Sequence, residues 1–390
     1  MRILIYLPNI NKKSGGLYQY SIGILNLLLN DTKNEYFILS TDPEIMELCD
    51  GKNHLKLLNN YTDKEFVIEK WLTYFLKTTN LLFRIRGYKR RFYWSYLERL
   101  CKRYKIDLVH SPQQMISFCN TKTVWTLHDV QELHYPEYFS SIDREYRARS
   151  WNDNIEFSKN IIVSYSHVKQ DLLKYFNIFD KNIDIFLIDM NKLWINNYIQ
   201  QYGRHKASES IFLLYPAVTW EHKNHVILIH LMNRFRNLAF LDVKLICTGK
   251  KNEYYHQKLL PLIESYGLSN HITFLDVVSD YELFNLYKTA SLVVIPTKYE
   301  AGSFPLIESI LMNTPVICAN TTSLPEMMGD LRFVFEPDNI DELEILVKKI
   351  LFDEKIREEN IENSKVQAQK LLNNNALDNL IEIYGKVMTN

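Results

Sequence analysis

The sequence contains little glycine, little cysteine and no net charge. Only 11 of its 390 residues are glycine, under half of the average frequency of about 7%, so each glycine position is informative. The five cysteines are scattered and form no Cys-x-x-Cys motif, which argues against a disulfide scaffold or a zinc ribbon and predicts a reducing, cytoplasmic environment. Lys and Arg (46) balance Asp and Glu (46), so the electrostatic footprint of a nucleic-acid-binding protein is absent.

Long apolar segments are absent too. No uninterrupted apolar run approaches the ~18 residues that a membrane-spanning helix needs. The start, MRILIYLPNINKK, predicts a first strand rather than a signal peptide. The composition is 46% hydrophobic and 24% charged, as in ordinary globular proteins. Because 390 residues exceed the usual size of a single core, the sequence predicts two domains.

Short apolar runs alternate with longer helical patterns, which is typical of parallel sheets joined by crossover helices. The strands predicted for the first half are Arg2–Leu7, Tyr36–Ser40, Leu108–His110, Val124–Leu127, Ile161–Ser164 and Ile183–Ile188. Those predicted for the second half are Ile211–Tyr215, Val243–Thr248, Ile272–Leu275, Leu292–Ile295, Val316–Ala319 and Phe333–Phe335.

The pattern predicts an α/β protein with two doubly wound, Rossmann-like domains that face a central cleft. We expect the first domain at residues 1–195 and the second at 205–370, because the stretch 189–208 has no clean period. Residues 371–390 are expected to form a helix, for which a return to the first domain is an open alternative.

Residues 70–105 break the neutral balance, with eleven basic residues and one acid. Phe92, Tyr96, Leu100 and Tyr104 recur every four residues, which predicts one apolar helix face. A basic amphipathic helix with aromatic residues favours contact with an anionic membrane surface. The alternatives are a helix that faces the core with a solvated basic back, and nucleic-acid binding. The membrane-surface candidates are Arg84, Arg86, Lys89, Arg90, Arg91, Arg99, Lys102 and Arg103.

Three loops after predicted strands carry candidate ligand-binding residues, because ligands of open α/β sheets bind beyond the carboxyl ends of the strands. Gly15 and Gly16 precede a helix expected from about residue 19, where backbone N–H groups can meet an anion; a flexible turn is the alternative. His128 follows a strand and could bond a sugar hydroxyl or polarise a leaving group, or be structural. Lys223 precedes a helix and suits a phosphate, or is an ordinary surface lysine.

The loop after Leu292–Ile295 carries the strongest signal in the chain. Pro305 fits the first turn of a helix, so the N–H groups of residues 302–304 would lie near its positive end. Glu300 precedes that turn and Glu308 lies about one turn inside. A carboxylate can accept hydrogen bonds from both hydroxyls of a vicinal diol such as a ribose. A hydrolase pair is an alternative, although such carboxylates usually come from separate elements.

Residues 299–330, YEAGSFPLIESILMNTPVICANTTSLPEMMGD, resemble the donor-binding signature of glycosyltransferase family 4, whose members are retaining enzymes with the two-domain GT-B fold. The resemblance extends to the loop with Gly15 and Gly16, to TLHDVQELHYPEYFS (126–140), to IIVSYSHVKQDLLKYF (161–176) and to YPAVTWEHKNH (215–225). These segments cover most of residues 1–340 in the family's order. The variants resemble those of mannosyl- or rhamnosyl-type polysaccharide enzymes.

The resemblance implies transfer of a sugar from a nucleotide-sugar donor, GDP- or UDP-linked, to a glycan or lipid-linked acceptor in the cytoplasm or at the inner membrane face. It implies catalytic roles for His128, Glu300 and Lys223. Glu308 would accept the ribose hydroxyls. The other residues implied in donor binding are Gly15, Gly16, His222, Gly249, Lys250, Val277, Val278, Gly302, Ser303, Phe304, Pro305 and Leu306.

The sequence departs from the family at three points, one of which is Asp276 at a position where a glycine is common. The Arg that often precedes the Lys is absent from residues 217–220, so His222 or a main-chain group must replace it. The Gly-Phe-Gly after the first Glu is replaced by residues 301–304. No Asp-x-Asp motif occurs, so no metal and no cofactor are predicted. A non-catalytic nucleotide-sugar-binding subunit, or another GT-B enzyme such as an epimerase or a phosphorylase, remains the alternative.

Overall fold

The protein was analysed as a computed structural model, which describes residues 1–8, 10–11, 15–58, 71, 75, 96–114, 116, 119–176, 178, 183–191, 193–206, 208, 210–236, 242–373 and 375–389. The chain divides into two compact units. The first comprises residues 1–189 and 375–390, and the second comprises residues 190–374.

The first unit contains a parallel sheet of seven strands within the described ranges, in the order β3-β2-β1-β4-β5-β6-β7. The strands are β1 (Arg2–Leu7), β2 (Glu35–Ser40), β3 (Leu55–Leu57), β4 (Leu108–Ser111), β5 (Lys122–Thr126), β6 (Asn160–Val163) and β7 (Ile183–Ile185). The helices are Gly16–Leu28, Pro43–Cys49, Tyr96–Tyr104, Gln131–His134, Ser141–Phe157, Ser166–Tyr175 and Ala376–Thr389, with a 3₁₀ turn at Pro136–Tyr138.

The second unit repeats this architecture with six described strands in the order β10-β9-β8-β11-β12-β13, again all parallel. They are β8 (Phe212–Pro216), β9 (Lys244–Thr248), β10 (Ile272–Phe274), β11 (Leu292–Ile295), β12 (Val316–Ala319) and β13 (Val334–Phe335). The helices are Trp194–Tyr202, His225–Arg236, Leu260–Ser265, Asp280–Thr289, Phe304–Met312, Leu324–Met328, Ile340–Phe352 and Glu354–Leu372. Single 3₁₀ turns lie at Glu221–Lys223 and Leu331–Phe333, and a π-helical segment lies at Tyr255–Leu259.

The predicted α/β class and the doubly wound sheets are confirmed. Continuous β-branched and aliphatic runs such as Leu292–Ile295 are completely buried, because helices cover both faces of a parallel sheet. All twelve predicted strands exist, with ends that differ by a few residues at most. The short edge strand β3 was not predicted, since its three residues lack an apolar run. The first helix begins at Gly16, three residues earlier than expected.

The C-terminal helix Ala376–Thr389 belongs to the first unit. Its Tyr384 hydroxyl is 2.7 Å from Nδ1 of His110 on β4, and both side chains are buried. Lys122 Nζ donates to the carbonyl oxygens of Val387 and Met388 at 3.0 and 2.8 Å. These bonds fasten the last turn of the chain to strand β5.

The helix Tyr96–Tyr104 turns its apolar side into the core of the first unit. Leu97, Leu100 and Cys101 pack in one buried cluster with side chains of β1 and β2. Arg99, Lys102 and Arg103 are exposed. The apolar face of this helix is therefore packed in the core, as in the core-facing alternative, whereas Trp71 and Phe75 of the same basic segment are exposed. The other membrane-surface candidates, Arg84, Arg86, Lys89, Arg90 and Arg91, lie outside the described residues. No helix in the described ranges is long and apolar enough to span a bilayer.

Candidate functional site

The second sheet reverses its strand order between β8 and β11, which are adjacent although the chain forms β9 and β10 in between. Loops leave the carboxyl ends of two such strands in opposite directions, and the crevice they create is where open α/β sheets bind ligands. The loop after β8 carries Lys223, and the loop after β11 carries Glu300. The topology thus places two of the predicted residues at one switch point.

Lys223 and Glu300 form an ion pair across this switch point, with Nζ 2.5 Å from Oε2. Only 19% and 12% of the two side chains are exposed. Partial burial strengthens the attraction, because water screens the charges less than at the surface. The pair leaves a cation and a carboxylate side by side at the carboxyl ends of the strands, where a polar ligand can reach them.

Neighbouring polar groups fix the two loops that carry this pair. Asn224 has a left-handed backbone with φ of 58°, and its amide donates to the carbonyl oxygens of Pro296 and Pro337 at 3.0 and 2.8 Å. The carbonyl oxygen of Lys223 accepts a bond of 3.0 Å from the Tyr215 hydroxyl. Thr322 accepts from the Glu300 N–H at 3.1 Å and donates to its carbonyl oxygen at 2.6 Å. The backbone on either side of the ion pair is therefore held by hydrogen bonds.

His222 joins the two loops through its main chain. Its carbonyl oxygen accepts from the Lys298 N–H at 2.8 Å and from the Thr297 hydroxyl at 3.1 Å. Burial, and then the nearby charge of Lys223, lower the pKa of the His222 imidazole to about 3. The ring is neutral at pH 7, so it does not replace the positive charge of the absent arginine.

Glu308 lies in the helix Phe304–Met312 and is almost completely buried. Its Oε1 accepts a bond of 2.8 Å from Trp194 Nε1, and its Oε2 accepts a bond of 2.7 Å from the Tyr287 hydroxyl. Burial raises the pKa of Glu308 to about 7, although both hydrogen bonds act to lower it. This carboxylate therefore changes its charge near neutral pH.

The start of the same helix provides N–H groups, as predicted from Pro305. Ser303 is the N-cap residue, and its hydroxyl accepts from the Leu306 N–H at 3.4 Å. Phe304 is the first helical residue. Gly302 and Ser303 immediately precede the helix, at the positive end of its dipole.

Strands β9 and β10 end side by side, which brings two further predicted groups together. The Gly249 N–H donates to the carbonyl oxygen of Asp276 at 2.7 Å. Gly249 has a φ of 108°, and a Cβ there would lie 2.7 Å from the carbonyl carbon of Ala217. Only glycine fits this crossing of backbones. Val277 is exposed, and Val278 and Lys250 are also accessible at this edge.

The first unit places a glycine pair and His128 among the described residues that follow its strands. Gly15 and Gly16 follow β1, with Gly15 as the N-cap residue (φ 57°, ψ −128°) and Gly16 as the first helical residue. Both are exposed. The φ of Gly15 is one that other residues rarely adopt, and the turn leaves the first N–H groups of the helix Gly16–Leu28 accessible.

His128 lies just beyond β5, half-buried, with its ring edge-on to Tyr20 at 4.7 Å between centroids. Nε2 lies 3.2 Å from the carbonyl oxygen of Pro112; since a carbonyl only accepts, Nε2 carries the proton. Burial lowers the pKa of His128 to about 4. The neutral ring thus has an unprotonated Nδ1, which can accept a hydrogen bond from a hydroxyl.

The structure brings Lys223 and Glu300 into contact and joins the backbones around Gly249 and Val277. It does not place Glu308 in contact with Glu300: the partners of Glu308 are Trp194 and Tyr287. Five contributing residues were not predicted: Trp194, Tyr215, Asn224, Tyr287 and Thr322. The aromatic residues carried no local signal in the sequence. Asn224 was indicated only by its position directly after Lys223.

Residues 199–367 match the family described as Glycosyl transferases group 1. The chain is 22% identical to the O-antigen chain mannosyltransferase B of Escherichia coli, over 98% of this chain and 99% of that protein. It is 25% identical to the O-antigen chain mannosyltransferase RfbU of Salmonella typhimurium, over 89% and 90% of the two chains. The crystal structure of Anabaena HepE in complex with UDP and glucose matches with a TM-score of 0.67 at 16% identity, over 99% of both chains.

The similarity to HepE over the whole chain confirms the predicted GT-B fold. The family match ends at residue 367 and begins at residue 199, so it contains Lys223, Glu300 and Glu308. Trp194 lies outside it.

Proposed function

We propose that the protein transfers a hexose from a nucleotide-sugar donor to a glycan in polysaccharide biosynthesis. The observation that carries this proposal is the ion pair between Lys223 and Glu300 at the switch point of the second sheet, inside the segment that matches the group 1 glycosyltransferases. A cation beside a carboxylate suits a ligand that combines a diphosphate with a hydroxylated sugar.

The difficult step is the loss of a nucleoside diphosphate from the anomeric carbon of the sugar. It develops negative charge on the phosphate and positive charge on the sugar. Lys223 and the N–H groups of Gly302 and Ser303 would stabilise the leaving phosphate, each group by roughly 2–4 kcal/mol. Glu300 would accept hydrogen bonds from the donor sugar, and Glu308 from the ribose.

The first unit would supply a neutral contact. His128 would accept a hydrogen bond from a sugar hydroxyl through Nδ1, since Nε2 is engaged by Pro112. The N–H groups behind Gly15 and Gly16 would add a second contact to the diphosphate, because a helix N-terminus favours an anion. Gly249, Lys250, Val277 and Val278 would lie beside the nucleobase.

A mannose donor, most simply GDP-mannose, is the substrate that we propose to test first. The two relatives matched over 99% and 90% of their own length are described as O-antigen chain mannosyltransferases. Retention of anomeric configuration without a metal is part of the proposal: the sequence has no Asp-x-Asp motif, and the leaving phosphate would help to deprotonate the acceptor hydroxyl. The anomeric configuration of the product and an assay in EDTA test these two points.

From the basic segment, we propose that the acceptor is lipid-linked and that the protein meets it at an anionic membrane surface. Arg99, Lys102 and Arg103 are exposed on one helix, and basic residues attract anionic headgroups within about a Debye length. We expect sedimentation with vesicles of anionic lipid at low salt, reduced in the Arg99→Gln/Lys102→Gln/Arg103→Gln variant. If the variant binds the vesicles as well as the wild type does, the attraction to the membrane arises elsewhere in the chain.

The direct test is turnover. Purified protein is incubated with a panel of GDP- and UDP-sugars and a polysaccharide or lipid-linked acceptor, and release of the nucleoside diphosphate is followed. We expect release from one donor, lowered by about 100-fold or more in Lys223→Ala and in Glu300→Ala with the fold intact. Full turnover in both variants would overturn the assignment. Donor binding without turnover would instead favour the non-catalytic alternative.

A further inference from the structure

The carboxylate of Glu308 is held from both sides by donors on two other helices. Trp194 lies at the start of the helix Trp194–Tyr202, and Tyr287 lies in the helix Asp280–Thr289. Each donates one hydrogen bond to a different carboxylate oxygen, at 2.8 and 2.7 Å. A carboxylate has about four acceptor positions, so each oxygen keeps one position for a further donor.

Both donors are themselves fixed by packing. Tyr287 is completely buried. The Trp194 ring lies edge-on to Tyr198, with centroids 5.9 Å apart, and Tyr198 stacks on Phe284 at 5.4 Å. Such pairs contribute beyond their buried area. The two helices are thereby locked together, and the indole N–H and the phenol O–H reach Glu308 from a rigid frame.

We propose that Trp194 and Tyr287 are positioning residues that hold the Glu308 carboxylate in one orientation for the two ribose hydroxyls of the nucleotide donor. The inference rests on the proposed function and deepens it. A buried carboxylate without these donors would lose its fixed plane and favour its neutral form, because an unpaired charge in an apolar site is costly. A neutral carboxyl offers fewer acceptor positions to a diol.

The variants Trp194→Phe and Tyr287→Phe remove one hydrogen bond each and keep an aromatic ring at each position. Hydrogen bonds to a charged group typically correspond to about a tenfold effect or more, so we expect KM for the donor to rise roughly tenfold in each variant, with kcat reduced less. The two bonds lower the pKa of Glu308, while burial and Asp280 raise it. Removing a bond therefore raises this pKa further, and the acidic limb of kcat/KM should move to higher pH by on the order of one unit. If the substitutions only disturbed the structure, the loss of kcat/KM relative to the wild type would be the same at every pH.

Nucleotide selectivity gives a readout that does not need turnover. Calorimetric titration compares a nucleoside diphosphate with its 2′-deoxy analogue. The wild type should prefer the ribonucleotide, and this preference should shrink in Trp194→Phe, in Tyr287→Phe and in Glu308→Gln alike. Unchanged selectivity and an unchanged pH profile in both aromatic variants would overturn the inference.

A matched control is Tyr36→Phe. The Tyr36 hydroxyl also donates to a buried carboxylate, Asp31 at 2.5 Å, but in the first unit. This variant should lower the melting temperature and leave the pH profile and the ribose preference unchanged. If the wild type neither binds nor turns over any nucleotide, the proposed function fails. If the wild type binds and turns over a nucleotide but the aromatic variants behave like Tyr36→Phe, only the positioning inference fails.

Discussion

The two units share one architecture but differ in what their strand ends carry. In the second unit, the loops at the switch point hold a charged pair, Lys223 and Glu300, and a buried acid lies one helical turn further on. Among the described residues of the corresponding loops, the first unit holds an exposed glycine pair, the neutral imidazole of His128 and, beside it, Asp129, whose pKa is raised by burial. Charged groups that are fixed before a ligand arrives stabilise the charge that develops in the transition state, whereas neutral groups mainly orient the ligand. The difference favours diphosphate chemistry at the second unit.

The difference also shows in the surrounding scaffold. The backbones of Lys223 and Glu300 are fixed by side chains of the same unit, among them Tyr215, Asn224 and Thr322. His128 is fixed by one bond to a backbone carbonyl and by Tyr20. The effects of substitutions on activity should therefore differ between the two units, both in magnitude and in pH dependence.

The largest effect is expected for Lys223→Ala. Loss of one preorganised cationic group should lower kcat about 100- to 1,000-fold, measured as release of nucleoside diphosphate. Lys348→Ala is the matched control, because Lys348 forms an ion pair with Glu344 elsewhere in the second unit. Comparable losses in both variants would show that the effect arises from general stability rather than from the site.

Glu308→Gln should lower donor affinity while improving stability at high pH. Burial raises the folded-state pKa of Glu308 to about 7, above its unfolded value, so the folded state binds more protons between these two values. The free energy of unfolding of the wild type should therefore fall, relative to that of the variant, by about 3 kcal/mol from pH 4.5 to pH 8. Chemical denaturation at several pH values measures this difference in the free energy of unfolding between the wild type and the variant. A difference that does not change with pH would contradict the raised pKa.

His128→Ala should have a smaller effect, about a tenfold loss in kcat/KM, as expected for one hydrogen bond. Because burial lowers the pKa of His128 to about 4, the ring is neutral from pH 6 to pH 8 and the loss should be the same throughout. A loss that grows at low pH would show that the cationic form acts. His128→Asn keeps a donor and an acceptor and should recover part of the activity.

The smallest effect is expected for Tyr384→Phe, which removes the hydroxyl bonded to His110. The free energy of unfolding should fall by about 1 kcal/mol, while KM for the donor stays unchanged. A changed KM would show that the C-terminal helix contributes to ligand binding as well as to the stability of the first unit.

Fold class and strand positions could be predicted because buried parallel strands are continuous apolar runs. Lys223 and Glu300 could each be placed beyond the carboxyl end of a strand, but their contact depends on the adjacency of β8 and β11, which the sequence pattern did not predict. The basic segment was harder. Its apolar period fits a core-facing helix and a membrane-facing helix equally, and only the burial of Leu97, Leu100 and Cys101 distinguishes them.

The partners of Glu308 could not be predicted for a different reason. Trp194 and Tyr287 are 114 and 21 residues away from it in sequence, and buried aromatic residues are common in any core. Their role depends on packing between helices that no local pattern encodes. The neutral state of His222 likewise follows from burial, which its neighbours in sequence do not reveal.

The most direct test of the account is a thermal-shift titration with GDP, UDP, GDP-mannose and UDP-glucose. A ligand that binds only the folded protein must raise its melting temperature. The account predicts that one nucleotide and its sugar conjugate stabilise the wild type and that the shift is largely lost in Lys223→Ala. Equal shifts in both proteins, or no response to any nucleotide, would contradict it.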